Sequence, residues 1–160
     1  MQTLPLFITM VLQNWDSSVK KATATFNSFT DEELLQPIAP GRNRIIYLLG
    51  HLTAVHDMLL PLLGLGERKY PQLHELFISN ADDTTVVLPS AGELRAGWAE
   101  INKILQQHFQ QLTPEEWFQQ HTMVSAEDFA KEPHRNRLNV LMSRINHLAY
   151  HQGQLALVKK

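Results

Sequence analysis

The chain has 160 residues, 44% of them hydrophobic and 19% charged, an ordinary globular balance that excludes a disordered chain and a membrane protein and points to one domain over residues 1–160. A formal net charge of −2 and a pI near 6.4 supply no global positive field for phosphates, so no nucleic-acid partner is expected. There is no cysteine, which excludes disulfides, thiolate ligands and a cysteine nucleophile, and any thiol chemistry needs a thiol from outside.

The first residues, MQTLPLFITMVLQNW, have no Lys or Arg ahead of their apolar side chains and so lack the basic start of a secretory signal. No run of about 18 apolar residues is apparent elsewhere, so no membrane partner is expected and a cytoplasmic location follows. Residues 3 to 28 place Leu4, Ile8, Val11, Trp15, Val19 and Ala22 at steps of three or four, one apolar stripe along a first helix. Thr30-Asp31-Glu32-Glu33 reads as a capping box opening a short turn, which Pro37, Pro40 and Gly41 end.

From about Arg42 to Leu63 the same spacing recurs in Leu48, Leu52, Val55 and Leu59, giving a second helix closed by Pro61, Gly64 and Gly66. Leu65 to Leu88 is too polar and broken for a long helix, with room for a turn or two between Leu73 and Ile78, and a connection of that length crosses a fold. Ser90-Ala91-Gly92-Glu93 is a second capping box. After it Leu94, Trp98, Ile101, Leu105, His108 and Leu112 define a third helix to about residue 112.

Thr113-Pro114-Glu115-Glu116 is a further start signal, with a short helix expected and then an irregular loop from His121 to Pro133. Asn136 to Val158 sets Leu138, Leu141, Ile145, Leu148 and Leu155 on one stripe, a fourth helix ended by Lys159-Lys160. Thr84 to Leu88 is the only β-like stretch, and alone it makes no sheet. The expected fold is all-α, a four-helix bundle. The short basic clusters, Arg42-Asn43-Arg44 and His134-Arg135-Asn136-Arg137, read as solvated loops at helix starts.

Within the fourth helix His147 and His151 are four residues apart, about 40° around the axis and one turn along it, so they can clamp one ion. A third ligand must come from another helix. His51, near the middle of the second helix and flanked by Leu48 and Val55, borders the buried stripe at a matching height. Neutral imidazole suits zinc and nickel, and three protein ligands leave positions open for water or substrate. Such a pair also occurs where histidines merely pack, which is the competing account.

His56 is turned by about 140° from His51 and cannot easily share the ion. His108 is expected as a core or boundary residue, and His74, His121 and His134 as exposed loop residues. Gln154 shares the face of His147 and could orient a bound group; Gly153 could permit close helix packing. Asp57 is expected to be exposed, Glu115 and Glu116 to cap, and no general base stands out.

The run His147-Leu-Ala-Tyr-His151-Gln-Gly153-Gln154, with Leu49-Gly50-His51-Leu52 upstream, resembles the DinB-like (DinB/YfiT-like) superfamily of metal-dependent enzymes, and the similarity spans essentially the whole chain. The resemblance implies an up-down-down-up bundle with a long crossover between the second and third helices. It also implies a zinc, nickel or related divalent ion on His51, His147 and His151, and a homodimer. Characterised members transfer low-molecular-weight thiols such as bacillithiol, mycothiol or glutathione, so the implied activity is thiol S-transfer on a small-molecule substrate, or a related hydrolysis. The alternative is a non-catalytic, metal-binding, stress-associated protein.

Overall fold

Local chemistry sets where each apolar stripe begins and ends as a helix in the computed structural model, which describes residues 3–158. Lys159 and Lys160, read above as helix-ending charges, lie outside the described residues. The first stripe forms α1 (Thr3–Asn27). Its inner face is Ile8, Val11, Trp15, Ala22 and Phe26, whereas Leu4 is 38% exposed and Val19 only half-buried. Thr30 then opens α2 (Asp31–Leu34), its hydroxyl accepting from the Glu33 amide while the Glu33 carboxylate accepts from the Thr30 amide.

The second stripe divides. Pro61 has no N–H to donate to the Asp57 carbonyl and its ring crowds that oxygen, so the expected single helix over Arg42–Leu63 is instead α3 (Ile45–Asp57) and α4 (Leu59–Leu62), separated at Met58. Ile45–Leu62 is long and apolar enough to cross a membrane by length and composition, contrary to the expectation from sequence. Most of that window, which comprises α3 and α4, is buried inside the fold.

Residues 65–88 hold a π-helical turn, Glu75–Ser79, where a turn or two was expected. Ser90 caps α5 (Ala91–Gln111) through a complete capping box. Leu94, Trp98, Ile101 and Leu105 face inward as read, but Phe109 takes the place assigned to His108, which is half-buried at the boundary. After a 3-10 turn at Glu116–Phe118, the segment expected to be irregular contains α6 (Ala126–Lys131), started by Ser125 accepting from the Asp128 amide. Asn136 caps α7 (Arg137–Ala156) through the Asn139 amide.

The described residues are all-helical, without a strand. α1 packs against α5 and α7, and α3 packs against the same two, so the long helices enclose their apolar faces in a closed ring. The buried side chains form two clusters, one centred on Phe26, Leu52, Phe77 and Trp98 and the other on Trp15, Leu63, Phe109 and Trp117. Between them stands the fully buried ring of His56, with centroids of Trp15 and Trp98 each 4.7 Å away.

Polar groups spaced along α3 dock the connection of residues 65–88. At its start Asp57, expected to be exposed, is 1% exposed and accepts from the Lys69 and Tyr70 amides at 2.7 and 3.1 Å. At its far end Arg44, read as part of a solvated cluster, ion-pairs with Asp82 at 2.6 Å, the two side chains 14% and 7% exposed. Between them the Tyr47 hydroxyl donates to the Asn80 carbonyl at 2.6 Å. The crossover is therefore fixed on the helix that carries His51.

Candidate metal centre

α3 and α7 are in contact, and their apolar registers bring three imidazoles together. The Nε2 atom of His147 lies 3.2 Å from that of His51 and 3.1 Å from that of His151. The three ligand atoms are all within 4.8 Å of one another. His51 and His147 are half-buried and His151 is 9% exposed, so the cluster borders the core as its flanking leucines imply.

The outer nitrogens hold two of these rings in place. His51 Nδ1 lies 2.9 Å from the Phe77 carbonyl, and a carbonyl can only accept, so Nδ1 carries the proton and Nε2 presents its lone pair inward. The last carbonyls of a helical turn lack partners within it, and that of Phe77 accepts from both His51 and, at 3.3 Å, the Tyr47 hydroxyl. His151 Nδ1 is likewise 2.8 Å from Gln154 Oε1, which accepts its proton and turns its Nε2 inward. Gln154, read from its spacing as able to orient a bound group, is instead hydrogen-bonded to the His151 ring. His147 Nδ1 is buried without a hydrogen-bond partner.

With the Nε2 lone pairs of His51 and His151 both facing inward, a neutral His147 can donate to only one of them, and the other close pair sets lone pair against lone pair. A shared cation resolves that conflict. Metal–nitrogen bonds of about 2.0–2.1 Å put neighbouring nitrogens about 3.3 Å apart in a tetrahedral site and about 2.9 Å apart in an octahedral one. The two separations that involve His147, 3.2 and 3.1 Å, lie between those values, and the third pair is within 4.8 Å, so the cluster is of the size a divalent ion requires.

Electrostatics favours the ligand form of the rings. Burial, followed by the neighbouring His151 and His51, pushes His147 down from the ordinary 6.5 to about 4. His151 is also lowered, by burial first, with the Gln154 hydrogen bond opposing and His51 assisting. Both shifts hold the imidazole neutral, as coordination requires.

A cleft of about 220 Å³ opens beside the cluster, lined by His51, Val55, Met58, Ile78, Arg144 and His147. No carboxylate is among these residues. Glu116 caps the Thr113 amide and Glu115 is exposed.

The remaining histidines stay apart. His56 faces the tryptophans with Nδ1 2.8 Å from Asn102 Oδ1, and His134 is exposed. His74 and His121, expected on the surface, are half-buried. Gly153 does not serve close packing, because a Cβ there meets nothing within 4 Å. Gly50 does, since a Cβ at that position would overlap the ring of Phe77.

Two parts of the site were not read from sequence. Arg144 precedes His147 by three residues and shares its helix face, so the helical spacing would have found it. The Phe77 carbonyl is a backbone group with no residue signature, and only the glycine beside His51 hints at a close approach.

The all-helical architecture and the three-imidazole cluster define a class of helical proteins equipped to take a divalent metal ion. The chain belongs to the DinB superfamily, whose family model matches residues 14–155. Its fold resembles a crystal structure described as the conserved protein of locus from Enterococcus faecalis, at 18% sequence identity and a TM-score of 0.64, covering 94% of this chain and 93% of that one. No curated protein matches the sequence.

Proposed function

We propose that this protein is a divalent-metal-dependent enzyme that transfers a low-molecular-weight thiol onto a small electrophile, with His51, His147 and His151 as the metal ligands. The observation that carries the reading is the convergence of three Nε2 atoms, two of them on rings whose outer nitrogens are held, beside an open cleft. A divalent ion, zinc or nickel, bound by three imidazoles keeps open positions and lowers the pKa of a thiol or water that joins it. The chain's own part is to orient that site and shield it. Phe77 orients His51 and Gln154 orients His151, while Val55, Met58 and Ile78 give the cleft an apolar wall that limits water.

Ligand pockets usually measure about 300–1,000 Å³, and the cleft of about 220 Å³ is smaller. A peptide- or sugar-based thiol would place only its sulfur end there and lie across the rim with the rest. The same small volume favours, as a second reading, hydrolysis of a compact substrate at the same ligands.

The closed ring of long helices and the long docked connection support an up-down-down-up four-helix bundle in one domain. Leu6, Phe7 and Met10, which are 59%, 43% and 58% exposed on α1, are the surface that a second copy would cover in a homodimer. Light scattering should then give twice the chain mass.

The activity is tested by incubating metal-loaded protein with bacillithiol, mycothiol or glutathione and a generic electrophile. Consumption of the electrophile that depends on one of the thiols, and that disappears in His147→Ala, is the expected result. If no thiol accelerates it while metal removal lowers the melting temperature, the non-catalytic alternative holds instead.

A further inference from the structure

Arg144 lies on α7 three residues before His147, about 4.5 Å along the helix axis, and lines the same cleft. Its side chain is half-buried and has no hydrogen bond or ion pair among the described residues. Two other half-buried arginines are paired, Arg44 with Asp82 and Arg95 with Asp31 and the Phe29 carbonyl. The side chains of Arg68 and Arg137 lack a bonded partner among the described residues as Arg144 does, but Arg144 is the one that lines the cleft beside the histidine cluster. The groups that face Arg144 are basic or apolar, namely His51 and His147 with Val55, Met58 and Ile78. Burial alone lowers its pKa, with no carboxylate acting on it. A partly dehydrated guanidinium without a counter-charge costs free energy, and an incoming anion recovers it.

We propose that Arg144 recognises the carboxylate of a small substrate whose reacting atom meets the three-histidine cluster. The assignment rests on the reading of that cluster as a metal centre. A guanidinium offers a planar fork that matches a carboxylate through two parallel hydrogen bonds, which a lysine cannot reproduce. Arg144, His51 and His147 line one cleft of about 220 Å³, and that small volume limits the size of the ligand. A compact ligand with its carboxylate two or three bonds from the sulfur suits a cleft of that volume, so the favoured class is a carboxylate-bearing thiol rather than a neutral one.

The test uses zinc-loaded full chain, wild type and the variants Arg144→Gln and Arg144→Lys, with calorimetric titration of 3-mercaptopropionate, 2-mercaptoethanol and butyrate. Wild type should bind 3-mercaptopropionate at least about tenfold more tightly than 2-mercaptoethanol. That ratio should fall to near unity in Arg144→Gln and to an intermediate value in Arg144→Lys, with affinity for 2-mercaptoethanol unchanged.

Equal wild-type affinities, or a ratio that survives Arg144→Gln, overturn the assignment. If Arg144→Gln does not fold, the wild-type ratio and Arg144→Lys still decide. Arg144-dependent binding of butyrate without either thiol sustains carboxylate recognition and defeats the thiol reading. Binding of none of the three defeats both.

Discussion

Single atoms decide the quality of this site. His51 faces the cluster because its Nδ1–H donates to the Phe77 carbonyl, and Phe77 comes that near because residue 50 has no Cβ. Gly50→Ala should therefore act against helix propensity. Alanine gains about 1 kcal/mol in a helix interior, but overlap with the Phe77 ring costs about 1–3 kcal/mol. The displaced carbonyl should also weaken metal binding by roughly 10–100-fold. Thermal melting and metal titration together check this, and a variant that is stabilised with unchanged affinity would show that the close approach is unimportant.

At the scale of elements, what could be read from sequence followed how local the cause was. The Thr30 and Ser90 capping boxes are complete within four residues and form as expected. The break between α3 and α4 was also local, since Pro61 acts four residues upstream, but a continuous apolar stripe masked it. α6 was missed because it buries no side chain and so leaves no stripe; only Ser125 and Asp128 marked its start. The docking of residues 65–88 joins positions far apart in the chain, as in Arg44 with Asp82, and helical spacing says nothing about it.

That docking has a measurable share of stability. Asp82 accepts from both the amide and the guanidinium of Arg44, so Asp82→Ala leaves two donors without their acceptor. A loss on the order of 2 kcal/mol is expected in denaturant unfolding, with faster hydrogen exchange at Tyr47 and along residues 75–83. Unchanged stability and exchange would mean that the crossover is held elsewhere.

Across the whole molecule, the two apolar clusters meet at one titratable ring. His56 donates from Nδ1 to Asn102, while its Nε2 is buried without a partner between Trp15 and Trp98. Burial, opposed by the Asn102 hydrogen bond and aided by nearby basic groups, lowers it from 6.5 to about 3.

Well above pH 6.5 the ring is neutral in folded and unfolded chains alike and contributes no pH dependence. Between 6.5 and about 3 the unfolded chain takes up the proton first, so stability falls as pH falls. The limiting slope from this one group is about 1.4 kcal/mol per pH unit. Denaturant midpoints of wild type and His56→Gln, measured in that window, should show the variant losing less stability per pH unit. Parallel pH profiles would place the acid sensitivity elsewhere.

These scales meet in the three imidazoles that α3 and α7 present, with His51 oriented by Phe77, His151 by Gln154, and His147 and His151 kept neutral by burial. Elemental analysis of protein purified without a histidine tag tests whether they hold an ion. The account predicts about one zinc or nickel ion per chain in wild type, lost in His147→Ala and His151→Ala while circular dichroism still shows the helical fold. Wild-type protein free of metal after incubation with either ion, and unaffected by both substitutions, would contradict it.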